Sequence, residues 1–317
     1  MVTYSAPGKV ILFGEHSVVY GYPAIAIAID RRITVTVTNN DKSYSTFYSS
    51  SFYPSKVFLC DSNDFKQLFP TFHFLKDGIE RKHSNKSHYD IVIKSQIPIA
   101  SGLGSSAATA VSFCAAISDY YNLKLSFSEI NELAFEAEKI QHGSPSGIDN
   151  TIATFGGGIL FEKGKLSPLE PKQLDWDLVV VDSGITRNTK GLVTKVKDNY
   201  KENPKIVQNY FNSIESIVRT GEEALKEGNI ETIGSLMNQN QEILKSLGVS
   251  TNIIDEIVEL LNTNCALGSK ITGAGGGGCI ISLFGNTDTA EKAIDILRMQ
   301  GYNAFHVKFS DQGVKKE

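Results

Sequence analysis

Cysteine is scarce in this chain: four in 317 residues, at positions 60, 114, 265 and 279. None has CxxC spacing, which argues against a zinc ribbon or a dithiol redox pair. Three lie among apolar residues, so they read as reduced, buried thiols of a cytoplasmic protein. The six histidines form no HxH or HxxxH pair, which argues against a zinc site of its own. No run of basic residues exceeds a few positions, and the net charge is −4. A nucleic-acid surface needs a basic stripe and is therefore disfavoured. The longest apolar runs, such as 24–29, fall far short of the ~20 residues needed to span a bilayer. The opening MVTYSAPGKV has no charged stretch followed by an apolar one, so it does not read as a signal peptide. Hydrophobic residues at 41% and charged residues at 21% exclude disorder and fibrous repeats for the chain as a whole.

Glycine is also missing where it might be expected, with none between Gly21 and Gly78. The total of 27 is ordinary, but the placement is not. Fifteen fall in four stretches: three in 7–21, two in 102–107, five in 143–158 and five in 273–278. Glycines clustered inside apolar sequence mark places where a backbone approaches something closely.

Strands are expected over 24–29 and 33–37, separated by Asp30-Arg31-Arg32, and over 90–94. Segment 39–90 is polar, rich in Ser, Phe and Tyr, and free of obvious chemistry. It should hold a hairpin (45–51 and 56–60) and a helix over 64–81 that Pro70 interrupts. Helices are expected over 105–121 and 128–141, the second capped by Ser126 or Ser128. A short strand follows Gly156-Gly157-Gly158. The stretch 168–171 reads as a domain boundary, giving units 1–168 and 169–317. Beyond it come strands at 178–182, 268–272, 279–284 and 304–309, and helices over 189–199, 205–227, 230–246, 253–262 and 289–300. Strands and helices mix without a regular βαβ period, so the fold class is α+β. The helices of 205–264 either pack the second domain or form the face of a homodimer.

Pro98-Ile-Ala-Ser-Gly-Leu-Gly-Ser-Ser-Ala-Ala108 runs from a strand end into a helix start. Small residues and unpaired helix N–H groups make a cradle for phosphate there. It is not the lysine-bearing P-loop, and a plain capped helix start is an equally good reading of these residues alone. Thr272-Gly-Ala-Gly-Gly-Gly-Gly-Cys279 reads either as a floppy turn or as a loop lying against a ligand or against the first glycine loop. Lys9, Glu15 and His16 flank an apolar strand, where an unpaired charge is costly. The turn His142–Asn150 presents Asp149, and Glu136 and Glu138 end the preceding helix. One carboxylate to hold magnesium and one to accept a proton is the equipment of phosphoryl transfer. Each carboxylate alone reads equally as a solvated face.

These clusters, in this order, resemble the GHMP kinase superfamily of small-molecule kinases. Three motifs carry the resemblance: Pro7 through His16, Pro98 through Ala108, and Thr272 through Gly278. Within the superfamily the chain is similar to the mevalonate kinases. Gly14-Glu-His-Ser-Val-Val-Tyr-Gly21 fits their GEHxVVxG, 142–150 fits HGxPSGxDN, and 187–193 fits RNTxxLV. The sugar-specific N-terminal signature of galactokinases is expected to be absent.

The resemblance implies an N-terminal domain with a left-handed βαβ unit, a C-terminal ferredoxin-like domain, and a site between them. It implies ATP held by Pro98, Ser101, Gly102, Leu103, Gly104, Ser105, Ser106 and Ala107, with Gly275 and Gly276 closing nearby. Ser106 and Glu138 would hold Mg²⁺; Glu138 is preferred to Glu136 because it lies eleven residues before Asp149, as the family pattern asks. Asp149 would take the proton from the C5 hydroxyl of mevalonate, and Lys9 would keep Asp149 ionised and acidify the alcohol. His16 and Thr189 would hydrogen-bond the substrate, and Glu15 would organise its pocket. The implied partners are mevalonate and ATP, without nucleic acid or membrane. Phosphomevalonate kinase, another alcohol kinase of the superfamily, and a catalytically silent ligand sensor are the rival readings.

Overall fold

The structure is a computed structural model that describes residues 1–50, 56–81, 87–98, 101–142, 145–169, 176–186 and 189–317. The first half runs β1 (Val2–Phe13), a 3₁₀ turn (Ser17–Tyr20), β2 (Ala24–Asn39), β3 (Thr46–Ser49), β4 (Val57–Leu59), α1 (Asn63–Leu68), α2 (Pro70–Glu80) and β5 (Tyr89–Ser95). It continues through α3 (Ser105–Tyr120), α4 (Phe127–His142), α5 (Ile148–Phe155), β6 (Gly158–Glu162) and β7 (Lys165–Leu169). The second half runs β8 (Asp177–Asp182), α6 (Thr189–Glu202), α7 (Pro204–Glu227), α8 (Ile230–Ser246), α9 (Asn252–Thr263), β9 (Gly268–Ile271), β10 (Cys279–Phe284), α10 (Thr287–Met299), β11 (Asn303–Val307) and β12 (Lys315–Lys316).

The first sheet has the order β12-β1-β2-β5-β3-β4, with β6 pairing β2 and β7 pairing β6. Only the β3–β5 pair is parallel among the described strand pairs. The second sheet is β11-β8-β10-β9, antiparallel throughout, which is the strand order of a ferredoxin-like layer. The chain end does not stay with the second sheet: β12 pairs with β1 at the edge of the first.

The two strands expected either side of Asp30-Arg31-Arg32 are one strand, β2. The charges mark a register shift instead of an end, since Pro7 pairs with Arg32 and Gly8 with Ile29. The ladder therefore bulges, letting charged side chains leave the core while the strand continues. Arg31 uses the bulge to reach the His306 carbonyl, at 2.9 Å, and the Phe305 ring. The first half of β2 is buried on both faces, and the second half alternates. Pro70 splits the expected helix into α1 and α2 and opens the latter, its missing N–H being no loss in a first turn. Ser126 caps α4 in a reciprocal pair with Glu129.

α3 is buried over nearly its whole length from Ala107 to Ser118. Its alanines allow β1, β2, α2, α4 and α5 to pack closely around it. α7 and α8 bury apolar faces within the chain, among them Phe211, Ile214, Met237 and Leu244. Among the described residues no helix is long and apolar enough to cross a membrane.

Candidate active site

A cavity of about 940 Å³ opens where β1, the α3 start, α4, α5 and the loop after β9 converge. Lys9, Glu15, His16, Ser101, Gly102, Gly104, Ser105, Ser106, Glu138, Asp149 and Thr189 all line it. Eleven of the residues expected to function thus meet in one space, although they come from positions 9 to 189. Pro98, Leu103, Ala107, Gly275 and Gly276 are not among the lining residues; Gly273 and Ala274 represent the C-terminal glycine loop there. Arg187, Asn188, Ile99, Ala100, Gly143 and Ser144 lie outside the described residues, as do parts of two motifs with them.

Lys9 is carried on β1, 5% exposed, and its Nζ stands 3.2 Å from Asp149 Oδ1. Asp149 is in the first turn of α5, where a carboxylate suits the positive helix end. That segment was expected as a turn; it is an eight-residue helix entered through Gly147 at φ 84°. The Lys9 stem has room because position 104 is glycine. A Cβ there would come within 2.9 Å of Lys9 Cγ, and φ is 73°. Lys9 N also donates to Leu103 O at 2.9 Å, so the phosphate-type loop and β1 are fixed to each other by backbone.

The loop into α3 holds itself in shape. Ser101 Oγ donates to Pro98 O at 2.7 Å, and Gly102 and Gly104 are left-handed. Gly104 is the N-cap of α3 and has no side-chain cap, so the helix end keeps its donors for an anion. Ser106 Oγ donates to Glu138 Oε1 at 2.5 Å, bringing a hydroxyl and a carboxylate together beside that end. Glu136 instead pairs with Lys139 on the exposed face of α4.

Glu15 and His16 follow the sharp turn at Gly14. Glu15 is 2% exposed and paired with Lys270, itself fully buried on β9. The second oxygen of Glu15, Oε2, is buried without a hydrogen-bond partner. Burial pushes the Glu15 carboxyl up and the Lys270 ammonium down, with the attraction between them opposing both shifts. His16 holds a left-handed φ of 62°, and its Nε2 lies 2.9 Å from Ala274 O. Burial lowers its pKa. A neutral ring donates through Nε2–H to that carbonyl and leaves Nδ1 as an acceptor.

The run Gly273–Gly278 is a packed turn, and its first residues, Gly273 and Ala274, line the cavity. All five glycines have positive φ. A Cβ on Gly275 would strike the Val249 carbonyl oxygen, one on Gly276 would come within 2.6 Å of the Leu192 side chain, and one on Gly277 would strike Ile185 O. Backbone bonds complete the packing, Gly276 N to Val249 O at 2.8 Å and Gly278 N to Ile185 O at 3.0 Å. Close approach of protein backbone at Gly275 and Gly277, and of the Leu192 side chain at Gly276, leaves no room for a Cβ there. Thr272 ties the loop to β1, accepting from Ile11 N at 2.9 Å.

Three features were not visible in the sequence motifs. Lys270 is the partner of Glu15. Thr186 joins Thr189 on the cavity wall. Gln67, Leu68, Phe69, Pro70, Thr71 and Phe72 close one side of the cavity, although they come from the segment read as free of chemistry.

The profile of the GHMP kinases N terminal domain matches residues 72–158, and that of the GHMP kinases C terminal domain matches residues 222–303. The galactokinase galactose-binding signature matches residues 2–39, correcting the expectation that it is absent. That span is β1, the 3₁₀ turn and β2, which carry Lys9, Glu15 and His16. A mevalonate kinase of Thermococcus onnurineus is 36% identical, with 100% of this chain and 98% of that protein covered. The crystal structure of the Methanococcus jannaschii mevalonate kinase aligns with a TM-score of 0.84 at 30% identity, covering 97% of this chain and 98% of that one. The L. major mevalonate kinase solved in complex with R-mevalonate aligns at 0.81 and 28% identity, covering 96% and 95%. With full-length relatives of one kind and both domain profiles in place, the chain belongs to the mevalonate kinase family of the GHMP kinases.

Proposed function

We propose that this chain transfers the γ-phosphoryl group of ATP to the C5 hydroxyl of mevalonate. The observation that carries the reading is the Lys9–Asp149 pair, 3.2 Å apart, facing the same cavity as the bare N-terminus of α3. The C5 oxygen forms the new bond to the γ-phosphorus as the bond to the ADP oxygen breaks, and its proton passes to Asp149. A carboxylate is a weak base for an alcohol, but it suffices when the transition state is loose and the proton leaves late. Lys9 is close enough to steady both the Asp149 charge and the attacking oxygen. His16 Nδ1 is the acceptor left for a substrate hydroxyl, Glu15 organises the pocket through its buried pair with Lys270, and Thr189 adds a hydroxyl from α6.

The ATP phosphates lie along 101–107 in this reading, where backbone donors and a helix dipole supply charge compensation. Ser106 and Glu138 are the residues that would hold Mg²⁺. One carboxylate and one hydroxyl beside a phosphate cradle fit a cation that keeps waters and leans on substrate phosphates. Among the described residues no cluster of three His, Cys, Asp or Glu side chains offers a closed metal cage. The cation supplies charge neutralisation on the phosphates. Residues 1–168 supply base, lysine and phosphate loop; residues 169–317 supply the glycine loop and Thr189. The four cysteines are free, in keeping with a cytoplasmic location.

The test is an ADP-release assay with purified protein, Mg-ATP and a panel of mevalonate, phosphomevalonate, galactose and homoserine. Turnover with mevalonate at least 100-fold above the others is expected. Preference for phosphomevalonate or galactose would replace the substrate assignment, and no turnover with any would favour the sensor reading.

A further inference from the structure

The residue proposed as the base rides on a helix that cannot hold itself in place. α5 has eight residues, a glycine at each end and no side-chain N-cap. Isolated helices of this length are unstable in water, and four of its eight residues are β-branched (Ile148, Thr151, Ile152 and Thr154). A rotation of α5 about its axis would swing Asp149 away from Lys9. Something outside the helix must fix that rotation.

We propose that Asn131, on α4, is a positioning residue that sets the orientation of α5 and hence of Asp149. Its side chain engages three residues of α5. Asn150 Nδ2 donates to Asn131 Oδ1 at 2.6 Å and to the Asn131 carbonyl at 3.3 Å. Asn131 Nδ2 donates to Thr151 Oγ1 at 3.4 Å. Thr154 Oγ1, which donates to Asn150 O at 2.8 Å, also stands 3.5 Å from Asn131 Oδ1. Asn150 is 2% exposed and Thr154 fully buried, so water cannot replace these bonds cheaply. Asn150 is the immediate neighbour of Asp149; gripping its side chain fixes the backbone direction from which the Asp149 side chain leaves.

The position of Asn131 along α4 gives the contact a second consequence. Glu138 lies seven residues on, two helical turns away and on the same face. One end of that face holds α5 through Asn131, and the other meets Ser106 at the start of α3 through Glu138. α4 is thus a single rigid piece that spaces the proton acceptor from the phosphate end of the cavity. Near-attack geometry is sensitive to errors of about 1 Å, which cost up to ~10²-fold in rate.

This inference rests on Asp149 being the proton acceptor, and the experiment separates the two. Asn131→Ala, Asp149→Asn and the double variant are compared with wild type for kcat, KM and nucleotide binding by calorimetry. Asn131→Ala should lower kcat by about tenfold, an intermediate loss on that geometric scale. Its KM for ATP and its nucleotide Kd should stay within about twofold. In the Asp149→Asn background it should cause no further loss, because its effect passes through Asp149. Asn131→Asp keeps the acceptor for Asn150 and should recover kcat to within about threefold of wild type. Should Asn131→Ala fail to fold, Asn131→Ser removes the same contacts with a small polar side chain and is read by the same criteria. A folded Ala or Ser variant with wild-type kcat, or one whose loss multiplies with that of Asp149→Asn, overturns the proposal. A large loss in Asn131→Ala beside near-normal kcat in Asp149→Asn would instead overturn the base assignment.

Discussion

Replacing Lys270 with methionine should unbalance the protein in a way that pH reveals. Lys270, on β9, and Glu15, in the turn after β1, are both buried and sit 255 positions apart. Removing one member of such a pair strands the other charge and costs about 3–5 kcal/mol. For a chain of this size that is a fall in Tm of roughly 6–20 °C, at about 2–4 °C per kcal/mol. The sign of the pH dependence follows from proton counting. In the wild type, near neutrality, the unfolded pair carries one proton, on the lysine. The folded pair also carries one, whichever partner holds it, so the pair adds almost no slope. In Lys270→Met the unfolded Glu15 carries none. Folded Glu15, pushed up by burial and without its cation, takes one up. The folded state then binds more protons than the unfolded one. Its stability is full below the ordinary carboxylate range and falls as pH rises, by up to about 1.4 kcal/mol per pH unit until the raised pKa is passed. Urea unfolding of wild type and variant at pH 5.5 and 8 measures this directly. Adding Glu15→Gln to the variant should remove the extra slope. Parallel stability curves for wild type and Lys270→Met, or a loss under about 1 kcal/mol at pH 8, would refute the reasoning.

Other outcomes follow from the same geometry. Ser106→Ala and Glu138→Gln should each raise the Mg²⁺ concentration for half-maximal rate by about tenfold or more, on the scale of ~10–100-fold for groups that hold or orient a metal; unchanged magnesium titrations would show that these side chains do not serve the cation. Gly275→Ala should lose about 1–3 kcal/mol, because φ is 75° and the new Cβ strikes Val249 O, and thermal melts should place it well below wild type. His16, lowered by burial, resists in the folded state a proton that the unfolded chain accepts near 6.5. Its contribution to stability is therefore present above 6.5 and lost as pH falls below it, by up to about 1.4 kcal/mol per unit. His16→Asn, which tolerates the left-handed backbone, should flatten that part of the pH–stability curve.

The parts of the site that were legible in the sequence are those where the chemistry is local. The glycine-serine turn before α3 announces a helix start with open donors, whereas Glu138 stands out from Glu136 only through its family spacing of eleven residues to Asp149. What was illegible depends on contacts across the chain. α5 is too short and too β-branched to show a period, and Asn131, which steadies it, lies seventeen residues before its start. Lys270 sits in a four-residue strand where a lysine reads as an outward side chain; only its distant partner makes it a core residue. The four-glycine run was legible as a place of close approach, but its neighbours were not. Val249, Leu192 and Ile185 come up against Gly275, Gly276 and Gly277 from distant parts of the chain. Residues 67–72 give no chemical signal because their contribution is a wall, set by where Pro70 breaks one helix and begins another.

The central claim is that Asp149, beside Lys9, takes the proton from mevalonate. Asp149→Asn keeps the shape of the side chain and removes the charge. Its kcat with mevalonate and Mg-ATP should fall by ~10²–10⁴-fold, while nucleotide binding and the thermal transition stay close to wild type. A folded Asp149→Asn protein that binds ATP and turns over mevalonate at a near-normal rate would contradict the account.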